Sequence, residues 1–276
     1  MLKSWSIQNF KPILNSGELK LAPVTVLAGR NSSGKSSLIQ SILMIAQTLS
    51  SRVLDRPLLS HGPFARLGTF ADILNKYSGQ SSLIVEFQLD VDDEAVKTEM
   101  AGQSGASWQI VHRDGQQPLP LSAVGVGISQ ILPILVMGLL APSHTLLLVE
   151  QPELHLHPSV QARLGDFFLG LAKCNKQCLI ETHSENLVNQ LRYHIVQADG
   201  QDKSACLIYF VDQDERGAAK FEPIEISPQG NILNWPEGFF DETILQEGRI
   251  NTESLRKRAN TNWRSEGQIL STATFA

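Results

Sequence analysis

Cysteine is scarce in this chain. Three in 276 residues, Cys174, Cys178 and Cys206, are too few and too irregularly spaced for a disulfide framework or a four-ligand zinc site, so reduced thiols without a redox role are expected. A basic excess is also missing: 23 lysines and arginines stand against 28 acids, a net charge of −5, which leaves only a local patch to bind nucleic acid. There is no long apolar run either. The longest, "ILPILVMGLLA" from Ile131 to Ala141, falls well short of the roughly 20 residues of a membrane span and stops at Pro142, so it reads as a buried helix. The opening "LKSWSIQNF" lacks the apolar core and cleavage site of a signal peptide, and a cytoplasmic location is expected. No internal repeat is visible. What the chain does have is 42% hydrophobic residues, ample for the core of one large domain or a domain with a lobe.

The N-terminal part reads as short strands, "SWSIQNF" and "GELKLA", then a continuous apolar strand "VTVLA" over Val24 to Ala28. From Ser36 onward Leu38, Ile39, Ile42, Leu43, Ala46 and Leu49 recur at helical spacing. "FARLGTFADIL" is the firm hydrophobic piece of the mixed stretch 51–82, and "SLIVEFQLDV" alternates like a half-buried strand. Residues 92–117 are polar and weakly patterned, the best linker candidate. Beyond them the pattern is regular. "ISQILPILVMGLL" reads as a helix, "TLLLV" as a fully buried strand, "PSVQARLGDFFLGLAK" as a helix with Pro158 in its first turn, "QCLIET" as a strand and "SENLVNQLRYHIV" as a helix. Alternating strands and helices predict an α/β fold with a mostly parallel core sheet, beside an N-terminal antiparallel β region. "ACLIYFV" and "KFEPIEI", within about 205–227, read as a closing β-pair, and 243–276 as a C-terminal helix and loose tail.

Three motifs carry chemistry. "GRNSSGKS", Gly29 to Ser36, matches G-x-x-x-x-G-K-[ST] between a strand and a helix, the context a phosphate loop requires. Backbone N–H groups from Asn31 through Ser37, including Ser32, Ser33 and Gly34, can turn onto phosphates, Lys35 can reach the terminal ones, and Ser36 can offer its hydroxyl to Mg²⁺. "VGVGISQ", Val124 to Gln130, is a glycine turn with Gly125 and Gly127 opening a helix, read by itself either as a tight helix entry or as an anion site made by free N–H groups and the Ser129 hydroxyl. "LLLVEQPELHLHP" ends a strand in Glu150, placed to serve as a metal-side acid. Gln151 follows it where a carboxylate would activate water, and an amide cannot take a proton.

In this order, and with "IQNFKPI", "ETHSENLVNQLR" and "NWPEGFFDE", the motifs resemble an ABC-type ATPase head, more closely the AAA-labelled ATPases related to the SMC, recombination-repair and OLD proteins. The resemblance spans most of residues 1–242. It implies a P-loop NTPase that binds ATP and Mg²⁺, with Ser36 and Glu150 at the metal. The Gly125–Ser129 turn would be the signature loop that meets the ATP of a second subunit, and hence the chain a homodimer formed through ATP. His183 would be the switch histidine near the γ-phosphate, a role a neutral imidazole can fill with one hydrogen bond. The branch carries an amide after the first acid, so Gln151 would position water by hydrogen bonding while Glu153 either supplies the base or makes a structural contact. Slow hydrolysis is the expectation. His155 and His157 match the family's dimer-contact loop better than a zinc site.

The chain also departs from the family. Its signature turn is not the usual "LSGGQ", no glutamine stands out for the switch loop, and about 30 residues replace a coiled-coil arm of several heptads, "AGQSGAS" being a joining segment if an arm was removed. Too few residues follow His183 for the nuclease domain of the OLD branch, and Asp212, Asp214 and Glu215 fall in a β-turn pattern. Two functions follow: an ATP-driven switch for a partner, in anti-phage defence or DNA maintenance by resemblance, or a slow or non-hydrolysing scaffold that holds an effector such as a nuclease encoded nearby.

Overall fold

A computed structural model describes residues 1–50, 58–89, 109–110, 119–120, 126–197, 205–227, 229–240 and 252. The chain divides into two compact units, Met1–Trp235 and Pro236–Ala276. In the second, of which residues 236–240 and 252 are described, Phe239 N–H donates to the Pro236 carbonyl (3.2 Å) and the Phe239 and Phe240 rings lie 4.7 Å apart. The expected linker 92–117 and tail 243–276 fall almost wholly outside the described residues.

The first unit has two main sheets. One is antiparallel: β1 (Leu2–Phe10) pairs with β2 (Ile13–Asn15) and β3 (Leu19–Lys20) on one side and with β5 (Ile84–Leu89) on the other. The other has the order β11-β10-β4-β9-β8, from β4 (Val24–Gly29), β8 (Leu146–Glu150), β9 (Gln177–Thr182), β10 (Cys206–Gln213) and β11 (Ala219–Pro223). The β10, β4, β9 and β8 strands run parallel; β11 returns antiparallel, so the expected closing β-pair is an edge of the core sheet. A short pair, β6 (Gln109–Ile110) with β7 (Leu119–Pro120), completes the described strands.

Helix α1 (Lys35–Ser50) lies between the two sheets. Its Leu38, Ile39, Ile42 and Met44 share one core with Trp5, Ile7 and Phe10 of β1, Leu27 of β4 and Leu179 of β9. Trp5 stacks on Phe87 of β5 and donates its indole N–H to Ser41 Oγ of α1 (3.0 Å), so the antiparallel sheet is fixed to the helix by packing and by a buried hydrogen bond. A one-turn helix α2 (Phe70–Ile73) closes the stretch before β5. On the opposite face of the core sheet, α4 (Pro158–Lys173) packs on β9 and β4 and against α5 (Glu185–Gln197), burying Leu164, Phe168, Leu187 and Leu191. Pro158 is the first residue of α4, where its missing N–H is no loss.

β8 differs from its expected full burial. Among the described residues it pairs only with β9 and ends the sheet, and its residues are half-buried up to an exposed Glu150, because an edge strand is covered on fewer sides than a central one. Central β9 is buried along its whole length. Helix α3 (Val126–Leu140), which runs into β8, leaves Met137, Leu139 and Leu140 exposed, so it is less buried than its composition implies.

Gln177 at the start of β9 joins the sheets. It accepts from Leu2 N–H (2.9 Å) and donates to the carbonyls of Leu2 (2.7 Å) and Ala22 (3.1 Å). Gln177→Ala would strand these buried backbone groups and should destabilise the fold by about 2 kcal/mol or more. A melting temperature within about 1 °C of wild type by differential scanning calorimetry, against the expected fall of several degrees, would show that the strap is dispensable.

Candidate functional site

The core strands end together on one edge, and the loops that leave them build the site. Gly29 ends β4 with φ 143°, where a Cβ would stand 2.1 Å from the Val211 carbonyl of β10; only glycine allows that approach. Ser32 (φ 63°) and Gly34 (φ 110°) continue the reversal into α1, the alternating geometry that turns successive N–H groups to one side. Asn31 and Ser32 lie exposed at the rim, Ser33, Gly34 and Lys35 are buried, and Ser36 and Ser37 are half-buried in the first helical turn. Lys35 is 2% exposed, and its ammonium donates to the carbonyls of Gly29 (3.1 Å) and Arg30 (2.5 Å). Burial pushes its pKa down while Glu181 and Glu153 pull it up.

Acids arrive from β8 and β9. Side chains alternate along a strand, so Leu179 and Glu181 share the face that α1 covers, and Glu150, in register with Glu181 on β8, lies on that face too. Glu181 is 4% exposed and accepts the Ser36 hydroxyl hydrogen bond (2.7 Å). Glu150 is exposed; desolvation and the neighbouring Glu181 charge push its carboxyl pKa up. Gln151 takes a left-handed turn (φ 46°) and donates its N–H to the Glu181 carbonyl (2.8 Å). That turn swings Glu153 inward, where it is 6% exposed and accepts from His183 N–H through Oε1 (2.6 Å), while Oε2 is buried with no hydrogen-bond partner.

His183 follows β9. Its ring is hydrogen-bonded to the Gly29 backbone, and its Nε2 is buried without a partner, as is Ser33 Oγ. Desolvation and then Lys35 lower its pKa, so the ring is neutral near pH 7. A neutral imidazole has a single N–H, and the Gly29 carbonyl takes it, so Nε2 faces the site as an acceptor and turns donor only on protonation. Ser184 and Thr182 fix this turn: Ser184 N–H donates to Thr182 Oγ1 (3.0 Å) and Ser184 Oγ accepts from Leu187 N–H (3.1 Å) at the start of α5.

Of the expected signature residues, Gly125 lies outside the described residues. Gly127, in the first turn of α3, rests on the loop after β8, where a Cβ would meet the His155 carbonyl at 2.8 Å. Ser129, two residues on, is exposed. His155 is an exposed left-handed turn residue (φ 60°), and His157 caps α4, its side chain accepting from Ser159 N–H (3.3 Å). Gln161 of α4 binds this loop to the one after β9, donating to the Leu156 carbonyl (3.0 Å) and accepting from Ser184 Oγ (2.7 Å). Asp214 accepts from Arg216 and Ala218 N–H and closes the β10–β11 turn.

Comparison with known proteins gives the same picture. Residues 67–188 match the family described as "AAA ATPase domain", residues 24–108 "AAA domain, putative AbiEii toxin, Type IV TA system", and residues 202–245 "Protein of unknown function (DUF3696)". Among solved structures, "Crystal structure of the SmcHead bound to the C-winged helix domain of ScpA" is similar at 12% identity and a TM-score of 0.50, over 82% of this chain and 98% of that one. The "SMC head domain from Thermotoga maritima" is similar at 14% identity and a TM-score of 0.47, over 82% and 99%. No curated protein matches. The chain has the fold of an SMC head, and its middle part matches an AAA ATPase domain.

The head's donor set fits a nucleotide with a hard cation. Lys35 and the N-terminus of α1 offer positive ends to phosphates, Ser36, Glu150 and Glu181 offer the oxygen ligands magnesium favours, and the buried unpartnered atoms of Ser33, Glu153 and His183 are polar groups that need a partner. Glu181 had no role in the sequence reading, which assigned His183 from the same "ETHSE". Its signal was an acid closing an otherwise apolar central strand.

The cysteines stand apart. Cys174 is exposed, whereas burial pushes the thiols of Cys178 and Cys206 up to about 12, leaving about one part in ten thousand as thiolate at pH 8. A maleimide should therefore modify one thiol per folded head and all three after denaturation; rapid labelling of two or three without denaturant would contradict this burial.

Proposed function

We propose that the head binds ATP, hydrolyses it slowly, pairs with a second copy around the nucleotide, and so acts as a nucleotide-controlled switch for a partner protein. The observation that carries this reading is the convergence of Lys35, Ser36, Glu153, Glu181 and His183 on one end of the core sheet, with buried polar atoms of Glu153 and His183 lacking partners. Magnesium, when bound, neutralises phosphate charge and fixes the phosphates' orientation. The chain's own groups do the rest. Lys35 and the phosphate-loop N–H groups hold the phosphates, His183 touches both Gly29 and the loop of Glu153, and Glu153 keeps one oxygen free to hold water.

Pairing follows from the signature turn: Gly127 and Ser129 lie at the start of α3, beyond the loop after β8, and the family uses that turn on a partner's nucleotide. An effector such as a nuclease, and a setting in anti-phage defence or DNA maintenance, rest on family resemblance. The AbiEii toxin family matched over residues 24–108 supports the defence setting. Gln151 favours a second reading, a scaffold that binds ATP with negligible turnover, because the residue beside Glu150 cannot accept a proton. Steady-state phosphate release by the purified head separates the two.

Lys35→Ala should abolish tight ATP binding in calorimetry; unchanged affinity would remove the phosphate-loop assignment. With hydrolysis blocked, ATP should shift the head to a two-fold dimer in light scattering, and a monomer at high protein concentration would overturn the pairing. If Glu153 is the base, Glu153→Gln should lower turnover about 100-fold with ATP affinity nearly intact, while Gln151→Glu leaves the rate flat or lower. A clear rise for Gln151→Glu beside a near-normal Glu153→Gln would assign the water to position 151 instead.

A further inference from the structure

An acid buried in the middle of a parallel sheet needs a reason. Glu181 is 4% exposed, the other residues of β9 are equally buried, and desolvating a carboxylate is unfavourable unless something positive or hydrogen-bonding meets it. Its side chain meets the hydroxyl of Ser36, the phosphate-loop serine at the first turn of α1, at 2.7 Å. Lys35 lies within its electrostatic reach and donates its own hydrogen bonds to the carbonyls of Gly29 and Arg30. Direction matters here. A serine hydroxyl that donates its proton to a carboxylate turns both lone pairs away from it, the state in which it can ligate a cation. Glu150, across the β8–β9 ladder in register with Glu181 at about 4.8 Å strand spacing, adds a second carboxylate on the same face. The pair does not stand alone: Glu153, 6% exposed, carries a buried unpartnered Oε2 in the field of the same Lys35, and Ser33 Oγ, also buried, has no partner.

We propose that Glu181 of β9 holds the hard divalent cation of this site together with Ser36, and that Glu150 on the sheet edge is the outer acid. The metal-side carboxylate thus comes from the strand that lies between the phosphate-loop strand and the strand with the acidic tip. Glu181 takes the Ser36 proton in hydrogen bonding and gives its second oxygen to the cation, while exposed Glu150 contacts the metal's water. The inference rests on the ATP-head reading and assigns the metal within it.

The test uses the full chain, with nucleotide affinity measured by a fluorescent ATP analogue in EDTA and then at rising Mg²⁺, and Mn²⁺ binding followed by electron paramagnetic resonance with ADP present. Glu181→Gln should keep the EDTA affinity, or tighten it about twofold through lost repulsion of the phosphates, but lose the Mg²⁺-dependent gain and weaken Mn²⁺ binding by about 10–100-fold. Glu150→Gln should lose less. A Glu181→Gln head with wild-type Mg²⁺ and Mn²⁺ dependence, beside a Glu150→Gln head that loses both, overturns the assignment and leaves Glu181 as a holder of Ser36. If Glu181→Gln does not fold, Glu181→Asp, one methylene shorter, should still weaken Mn²⁺ binding about tenfold, and an unchanged Mn²⁺ affinity overturns the proposal. A wild-type head that binds no nucleotide in either condition sinks the ATP reading itself, an outcome distinct from a normal nucleotide affinity with an unaltered metal response.

Discussion

A lysine ammonium buried at the end of a parallel sheet is the constraint around which the rest of the head is arranged. Among the described residues Lys35 donates its hydrogen bonds to the carbonyls of Gly29 and Arg30, so its charge must be met by nearby acids, and Glu181 and Glu153 pull on it. Both depend on β9 lying directly beside β4. That pairing, Val24 with Cys178 through Ala28 with Thr182, sets Glu181 beside the start of α1 and His183 beside Gly29. The antiparallel sheet then acts from outside, through Trp5 on Ser41 and Gln177 on Leu2, to press α1 onto the core sheet and hold its first turn in place.

Local pattern was enough for part of this. The phosphate loop was legible because glycines, lysine and serine have fixed spacing and the flanks have opposite periodicities, apolar run before and helical stripe after. The strands and helices from Val126 to Gln197 were legible for the same reason, and Pro158 marked the start of α4. Burial of β8 was not. Apolar composition tells that a strand packs against something, but whether it is central or at an edge depends on strand order, and β8 comes before β9 in the chain while β9 inserts beside β4 in space.

The same gap hid Glu181. Reading along the chain, the acid that ends the "LLLV" strand draws the metal role, and the acid of "ETHSE" looks like a flank of the histidine. Only register puts Glu150 and Glu181 side by side on one face, and only strand order gives Glu181, on the inner strand, the hydroxyl of Ser36. The left-handed turn at Gln151 was equally out of reach, since glutamine carries no preference for positive φ; the Glu181 carbonyl and the inward pull of His183 on Glu153 hold the chain there.

That turn also accounts for the amide at position 151 in physical terms. Glu153 and Glu181 already converge on one ammonium, and desolvation with the Glu181 charge raises the pKa of Glu150 beside them. A further carboxylate about 5 Å from any of them would add about 3 kcal/mol of repulsion per pair at an effective dielectric constant near 20. An amide keeps hydrogen-bonding capacity without that charge, and its backbone N–H can close on the Glu181 carbonyl without bringing another anion toward the phosphates. The turn instead carries a carboxylate, Glu153, in behind the strand tip, where Oε1 accepts from His183 N–H and Oε2 is buried without a partner. In the proposed role of Glu153, its place beside Lys35 and its hydrogen bond from His183 N–H would link any water it holds to the groups nearest the phosphate loop.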